Sequence, residues 1–338
     1  MPEALGRVAR EGFVRADLDL DVGAAVGTGA RYTQRATVVA STARPTPTAM
    51  LICLAGTGYR RACWDLQVPG HTGYSFAEYL SGRGYLVVCL DHLGAGDSVD
   101  PPGGGPGGLD LVAAGDAEAA RQLRARAAAG SLHPQIAPAD LPVVCVGHSL
   151  GAGIGIMAQA AGADFQAMVL LGYAATRYDH SGAPGAEQIC QPGTVGDLEA
   201  AIKSNYELVR QFTQSPRTAT SWSIPRSYFR GMFYTPDVPA EVVAADEALE
   251  SRIPAWANAA IMTPGVVAPH AAAIDVPLFL GFGGAMDFAP APRQEVDNFP
   301  GTNDVTVFLL ADAAHAHHVA PRRADLWDRI ARWVSSVV

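Results

Sequence analysis

The sequence predicts an α/β fold: a mostly parallel eight-stranded sheet flanked by helices, with one helical insertion. Three observations predict it. Short apolar runs alternate with segments of helix-forming composition. The runs are continuously apolar instead of alternating with polar residues, as strands covered on both faces must be. The alternation breaks once, between residues 175 and 270, and then resumes.

Taken in order, RADLDLDV (15–22) and RYTQRATVVAST (31–42) alternate in polarity and read as an antiparallel edge. AMLICLAG (49–56), YLVVCLDHLG (85–94), LPVVCVGHS (141–149), QAMVLLGYA (166–174), VPLFLGFG (276–283) and VTVFLLADA (305–313) read as the buried strands. SFAEYLSGRG (75–84), DLVAAGDAEAARQLRARAAAG (110–130) and GAGIGIMAQAAGA (151–163) have the length and Ala/Leu/Arg content of crossover helices. ADLWDRIARWVSSVV (324–338) reads as a closing amphipathic helix with Leu326, Ile330 and Trp333 on one stripe. The organisation is therefore one core domain, residues 1–174 and 271–338, interrupted by an insertion at 175–270 that contains a helix-like piece at 194–212. PPGGGPGG (101–108) reads as a loop; it lacks the GK[ST] of a phosphate-binding loop.

Composition narrows the function classes. Apolar residues make up 49% and charged residues 17%, which marks a core-rich globular chain. A formal charge of −9 with no basic cluster argues against a nucleic-acid partner. No apolar run reaches the roughly 20 residues that cross a bilayer. The opening MPEALGRVAREGF lacks the apolar stretch of a secretion signal, so a cytoplasmic location is expected. Of five cysteines, Cys53, Cys89 and Cys145 lie inside strand-like runs and read as small buried hydrophobes. Cys63 and Cys190 fall in loop-like sequence without assignment. The odd count and the lack of CxxC argue against a disulfide framework or a zinc site.

The chemistry concentrates in VVCVGHSLGAGIG (143–155). Gly147-His148-Ser149-Leu150-Gly151 matches G-x-S-x-G between a strand and a helix. A strand that turns abruptly into a helix forces the serine into strained backbone angles, and flanking glycines keep the corner free of Cβ clashes. The hydroxyl then projects where a base can reach it, and the helix N-terminus offers unpaired N–H groups to a developing oxyanion. LAGTGYR (54–60) follows an early strand, so the Thr57 and Leu150 N–H groups are the expected oxyanion hole. Asp287, in GFGGAMDFAP (281–290), stands just beyond a strand, where a carboxylate can orient an imidazole. AAHAHH (313–318) follows the last strand and supplies the base. His315, nearest the strand, is assigned; His317 and His318 read as surface or pocket-wall residues. A metal site in this cluster would need further ligands. A dinucleotide site built on Gly151 and Gly153 fails, because Ser149 occupies the corner where that turn needs glycine.

With the order Ser149, Asp287, His315, the chain resembles the α/β-hydrolase fold from about residue 30 to the end. Asp91-His92-Leu93-Gly94-Ala95-Gly96-Asp97-Ser98 is similar to that family's D-x-x-G-x-G-x-S turn. One departure is that the His-Gly usual in the oxyanion loop is Ala55-Gly56 here. The resemblance implies that the 175–270 insertion is a cap between the sixth and seventh strands of that fold. It also implies a serine hydrolase that works through an acyl-enzyme and needs no cofactor. Carboxylic ester or lactone cleavage comes first. C–C bond or thioester hydrolysis, or a non-catalytic ligand-binding protein of the same fold, are the alternatives. The family's epoxide hydrolases and dehalogenases use an aspartate nucleophile, against which Ser149 argues. Trp222, Tyr228, Phe229, Met232, Phe233, Tyr234, Trp256 and Met262 lie in the insertion, and some of them should line an apolar pocket. Tyr59, Trp64, His148, Trp222, Tyr228 and Phe233 are the substrate-binding candidates. The expected partner is a hydrophobic small-molecule ester or lactone, with a homodimer as a further possibility. Arg60 and Arg61, beside the oxyanion loop, leave an acidic substrate open.

Overall fold

The computed structural model describes residues 12–102, 105–176 and 196–338. Its sheet is built from β1 (Phe13–Asp21), β2 (Thr33–Ser41), β3 (Met50–Leu54), β4 (Leu86–Leu90), β5 (Val143–His148), β6 (Ala167–Leu171), β9 (Leu278–Gly283) and β10 (Val305–Leu310). The strand order is β1-β2-β4-β3-β5-β6-β9-β10. Pairing is antiparallel from β1 to β2 and from β2 to β4, and parallel throughout the rest.

The continuous apolar runs serve two cores at once. Met50, Ile52 and Leu54 of β3 join one cluster while Leu51 and Cys53 join the other; β4 and β5 divide their residues in the same way. That is the two-residue period of a strand feeding layers above and below. Cys53, Cys63, Cys89 and Cys145 are free thiols buried in this interior. Cys63, unassigned from sequence, sits in a single 3-10 turn at Arg61–Trp64. Cys190 lies outside the described residues.

The helices cover the sheet. They include α1 (Phe76–Ser81), α2 (Gly108–Ala128), α3 (Leu150–Ala160) and the closing α9 (Arg323–Val337). The Ser75 hydroxyl caps α1 by accepting the Glu78 N–H. In α9, Leu326, Ile330 and Trp333 are buried as the stripe requires, joined by Trp327 and Val334. The strand readings overran at their C-terminal ends. The apolar character of 49–56 and 85–94 continues past Leu54 and Leu90 because those residues stay buried in the loops that build the site.

Between β6 and β9 the described residues are mostly helical: α4 (Leu198–Phe212), α5 (Arg230–Phe233), α6 (Ala240–Glu247), α7 (Ala255–Met262) and α8 (Ala268–Ala272). Two-residue strands β7 (Ser221–Trp222) and β8 (Ile253–Pro254) pair antiparallel among them. α7 packs on α2, α3 and α4. Part of the segment read as an insertion, residues 177–195, lies outside the described residues. No helix among the described residues is long and apolar enough to cross a membrane.

Candidate active site

The turn from β5 into α3 puts Ser149 at φ 54° and ψ −122°. Such angles cost a non-glycine residue about 1–3 kcal/mol, a cost sustained by the packing around the corner. A Cβ on Gly147 would meet Ala152 Cα at 2.5 Å, and one on Gly151 would overlap the Leu54 carbonyl. Neither position tolerates a side chain, which accounts for both glycines of the pentapeptide. The Ser149 N–H donates to the Leu171 carbonyl at 2.7 Å, tying the corner to β6. Leu150 opens the helix, so its N–H has no intrahelical partner. Thr57, Ser149 and Leu150 border one cavity.

Asp287 and His315 meet beside this corner. His315 Nδ1 lies 2.7 Å from Asp287 Oδ1, with both side chains sealed from solvent. A carboxylate accepts, so Nδ1 carries the proton and Nε2 keeps a free lone pair. Nε2 is buried with no hydrogen-bond partner, and no bond joins it to Ser149 Oγ. The imidazole is wedged between Phe233 and Phe288, at ring-centroid distances of 5.0 and 4.3 Å, and both phenyl rings border the Ser149 cavity. Gly172, at φ 61°, lies against the pair: a Cβ there would be 2.9 Å from His315 Nδ1 and 3.2 Å from Asp287 Oδ1.

Burial disfavours charge on His315 and holds its pKa below the ordinary 6.5, Asp287 offsetting only part of that. Burial pushes the Asp287 carboxyl upward, but His315 and His317 outweigh it and keep the group ionised, well below the usual carboxylate range. The two backbone N–H groups of Gly283 and Phe288 also donate to it, at 2.7 and 2.8 Å.

His317, expected at the surface or on a pocket wall, is buried; it lines a small recess with His148 and Trp64 and does not border the Ser149 cavity. Its ring is buried, and Nε2 lies 2.8 Å from Asp287 Oδ2, the second oxygen of the same carboxylate. Its backbone turns into a short 3-10 segment, His317–Val319, which carries the ring inward. His318 is also largely covered and donates from Nε2 to Asp246 Oδ1 at 2.7 Å. His148 is buried beneath both: its Nε2 donates to the His315 carbonyl at 2.8 Å. Burial, reinforced by the neighbouring imidazoles, drives the His148 pKa well below 6.5. Among the described residues, no group of three or more His, Cys, Asp or Glu is arranged to hold a metal ion.

Of the six side chains read as substrate-binding, Phe233 borders the cavity and five do not. Tyr59 is buried under Arg226, whose guanidinium stacks 3.4 Å from the ring centroid, and its hydroxyl donates to Asp246 Oδ2 at 2.5 Å. Trp64 packs edge-on against Phe76. His148 is committed below the corner. Trp222 donates its indole N–H to Asn258 Oδ1 at 3.1 Å and packs on Tyr206. Tyr228 packs between Phe212 and Phe229. Phe229 and Met262, from the wider set in the same segment, do border the cavity, together with Ile224, Asn258 and Ile261. Among the described residues, no Asp, Glu, His, Lys or Arg borders it. Arg61, which left an acidic substrate open, is buried in ion pairs with Asp91 and Asp97; Arg60 donates to the Glu250 carbonyl at 3.1 Å.

Two buried networks behind the site were not legible in the sequence. Arg226 is 2% exposed and donates to Tyr59, Asp246 and the Thr57 carbonyl, linking the segment before β9 to the loop after β3. Asp246 also accepts from Tyr234 at 2.6 Å. Burial raises its pKa, but His318 and Arg226 more than offset that and keep it ionised. On the other side, His92 is fully buried, 2.6 Å from Asp116 Oδ2 through Nδ1 and 3.0 Å from the Ala55 carbonyl through Nε2. Both partners accept, so both ring nitrogens donate and the ring is an imidazolium. Burial opposes that charge, and Asp116 overrides it and lifts the pKa. An imidazole therefore does brace the loop after β3 here, supplied by the D-x-x-G-x-G-x-S turn and not by position 55.

A strained serine where a parallel strand turns into a helix, in a mostly parallel sheet flanked by helices, defines a protein of α/β architecture. Residues 51–324 match the model of the Alpha/beta hydrolase family. The chain belongs to that family. Solved structures agree on the fold. Rv0554 from Mycobacterium tuberculosis is 17% identical with a TM-score of 0.60, over 95% of this chain and 100% of that one. A peroxisomal alpha-beta-hydrolase from Saccharomyces cerevisiae is 13% identical, TM-score 0.59, over 97% and 90%. A thermophilic esterase from Thermogutta terrifontis is 16% identical, TM-score 0.58, over 95% and 99%. At such identities the likeness concerns the fold alone. No curated protein matches the sequence.

Proposed function

We propose that the protein is a serine hydrolase that cleaves a carboxylic ester or lactone of a hydrophobic small molecule. The observation that carries this reading is the strained Ser149 opening onto an apolar cavity beside a histidine whose tautomer leaves Nε2 basic. Ser149 Oγ attacks the carbonyl carbon as His315 Nε2 takes its proton. Asp287 holds the ring and stabilises its charged form. The Thr57 and Leu150 N–H groups receive the oxyanion. His315 then protonates the leaving alkoxide, and water, deprotonated by the same ring, releases the acid.

The missing Ser149–His315 hydrogen bond is compatible with this scheme, since such bonds often tighten only when substrate is bound. A cavity whose described lining carries no charged side chain favours an uncharged acyl group, because an unpaired charge there would lose its hydration without compensation. The helices between β6 and β9 act as the cap: Phe229, Phe233 and Met262 provide its apolar ceiling. Esterases among the fold relatives make an ester the first substrate to try.

The test is hydrolysis of p-nitrophenyl butyrate and of a set of lactones of graded ring size by the native protein and by Ser149→Ala. The expected result is turnover in the native protein and a loss of at least about a thousandfold in the variant. Equal rates in both would overturn the reading, as would binding of these compounds without turnover.

A further inference from the structure

The Asp287 carboxylate serves two imidazoles. His315 Nδ1 donates to Oδ1 at 2.7 Å and His317 Nε2 donates to Oδ2 at 2.8 Å, and all three side chains are buried. With the Gly283 and Phe288 N–H groups, each oxygen accepts one imidazole and one backbone donor. We propose that His317 is a positioning residue for the hydrolysis inferred above: it fixes the plane of Asp287 so that Oδ1 faces His315, and it draws off part of that carboxylate's hydrogen-bonding capacity.

Three observations support a role beyond packing. First, the donor set is symmetrical about the carboxylate, so removing His317 leaves Oδ2 with a single backbone donor and frees the group to turn. Second, His317 Nδ1 is buried without a hydrogen-bond partner. A ring placed for packing alone would be cheaper as an apolar side chain, because an orphaned buried polar atom costs stability. Third, a carboxylate can only accept, so Nε2 carries a proton and His317 is the donor in this bond.

The direction of the effect follows. A carboxylate relieved of one donor becomes a stronger acceptor for the other and stabilises the His315 imidazolium more. Removing His317 therefore makes His315 easier to protonate and moves the acid limb of kcat/KM to higher pH. The other ionisable groups facing the cluster are His148 beneath it, His318 with its partner Asp246, Arg226 from the segment before β9, and the Cys63 thiol. Of these, His148 also feels His317 directly, its ring lying 5.4 Å away.

The experiment compares His317→Ala and His317→Gln with the native protein. Glutamine can present an amide N–H near the position of Nε2. In His317→Ala, kcat is expected to fall about tenfold with KM little changed, and the acid limb to rise by about half a pH unit. His317→Gln should recover most of both. A native limb position and rate in His317→Ala would overturn the proposal, as would a His317→Gln protein as impaired as the alanine variant. An independent readout is the low-field proton resonance of the His315–Asp287 hydrogen bond. It should move in His317→Ala and return toward its native position in His317→Gln, and an unmoved resonance refutes the proposal even if no substrate is ever found. Loss of hydrolysis in Ser149→Ala tests the hydrolase reading separately.

Discussion

Gly172→Ala should separate catalysis from stability at one methyl group. Gly172 has φ 61°, where an L-residue is strained by about 1–2 kcal/mol. The added Cβ would be 2.9 Å from both Nδ1 and Cε1 of His315, whereas ordinary contact begins near 3.4 Å. The ring must retreat by about 0.5 Å, and it is hemmed in by Phe233 and Phe288. Misplacement by an ångström can cost about a hundredfold in rate, so half of that supports a fall of roughly ten- to a hundredfold in kcat/KM. Strain and crowding together should cost about 2–4 kcal/mol of stability. The assay is p-nitrophenyl butyrate hydrolysis well below the melting transition, with thermal unfolding measured in parallel. Gly231→Ala is the control: its Cβ would meet no heavy atom within 4 Å, and the variant should match the native protein in both measurements. A folded Gly172→Ala protein with native kcat/KM would show that His315 does not transfer the proton from the place assigned to it.

Three other outcomes follow from the same site. The base must be neutral and its pKa is held below 6.5, so kcat/KM should be at its plateau at pH 7 and fall on acidification with an apparent pKa under 6.5; a limb centred at pH 7 or above would contradict the burial account. Folding stability has the same sign. His148 and His315 are kept neutral in the folded state and titrate near 6.5 when unfolded, so their contribution is complete above that value and is lost as pH falls through the depressed folded values. His92, shifted upward, works in the opposite direction, and urea unfolding from pH 7 to 5 measures the balance, expected to be a net loss. Arg226→Met should cost about 3–5 kcal/mol in urea unfolding, because it strips a buried cation from Asp246; it should also lower kcat by loosening the Thr57 loop, and native stability would remove Arg226 from the account.

How much of this was legible in the chain depends on the range of the physics. Strand identity is local. Four or five apolar residues in a row between turns can be satisfied only by cover on both faces, and Met50–Leu54 and the VVCV that opens Val143–His148 follow that rule. The serine corner is also local, since Gly147 and Gly151 are required by clashes within a few residues of Ser149 and against the adjoining strand. The geometry that brings Asp287 to His315 follows from two neighbouring parallel strands, β9 and β10, ending at the same edge of the sheet.

The aromatic positions misled because a periodic apolar segment does not say which of its rings faces the cavity. Tyr59, Trp222 and Tyr228 have the composition of pocket residues, yet partners far along the chain claim them. Tyr59 finds Asp246, 187 positions away. The partners of His317 and His92 could not be read for the same reason, as a histidine's role is set by the carboxylate that the fold brings to it. The sheet, the crossover helices and the strained turn are written in local residue order, because steric exclusion and strand periodicity act between near neighbours. Which buried carboxylate each imidazole meets is settled by the folded arrangement, because low-dielectric pairing depends on groups that approach one another after the chain has closed.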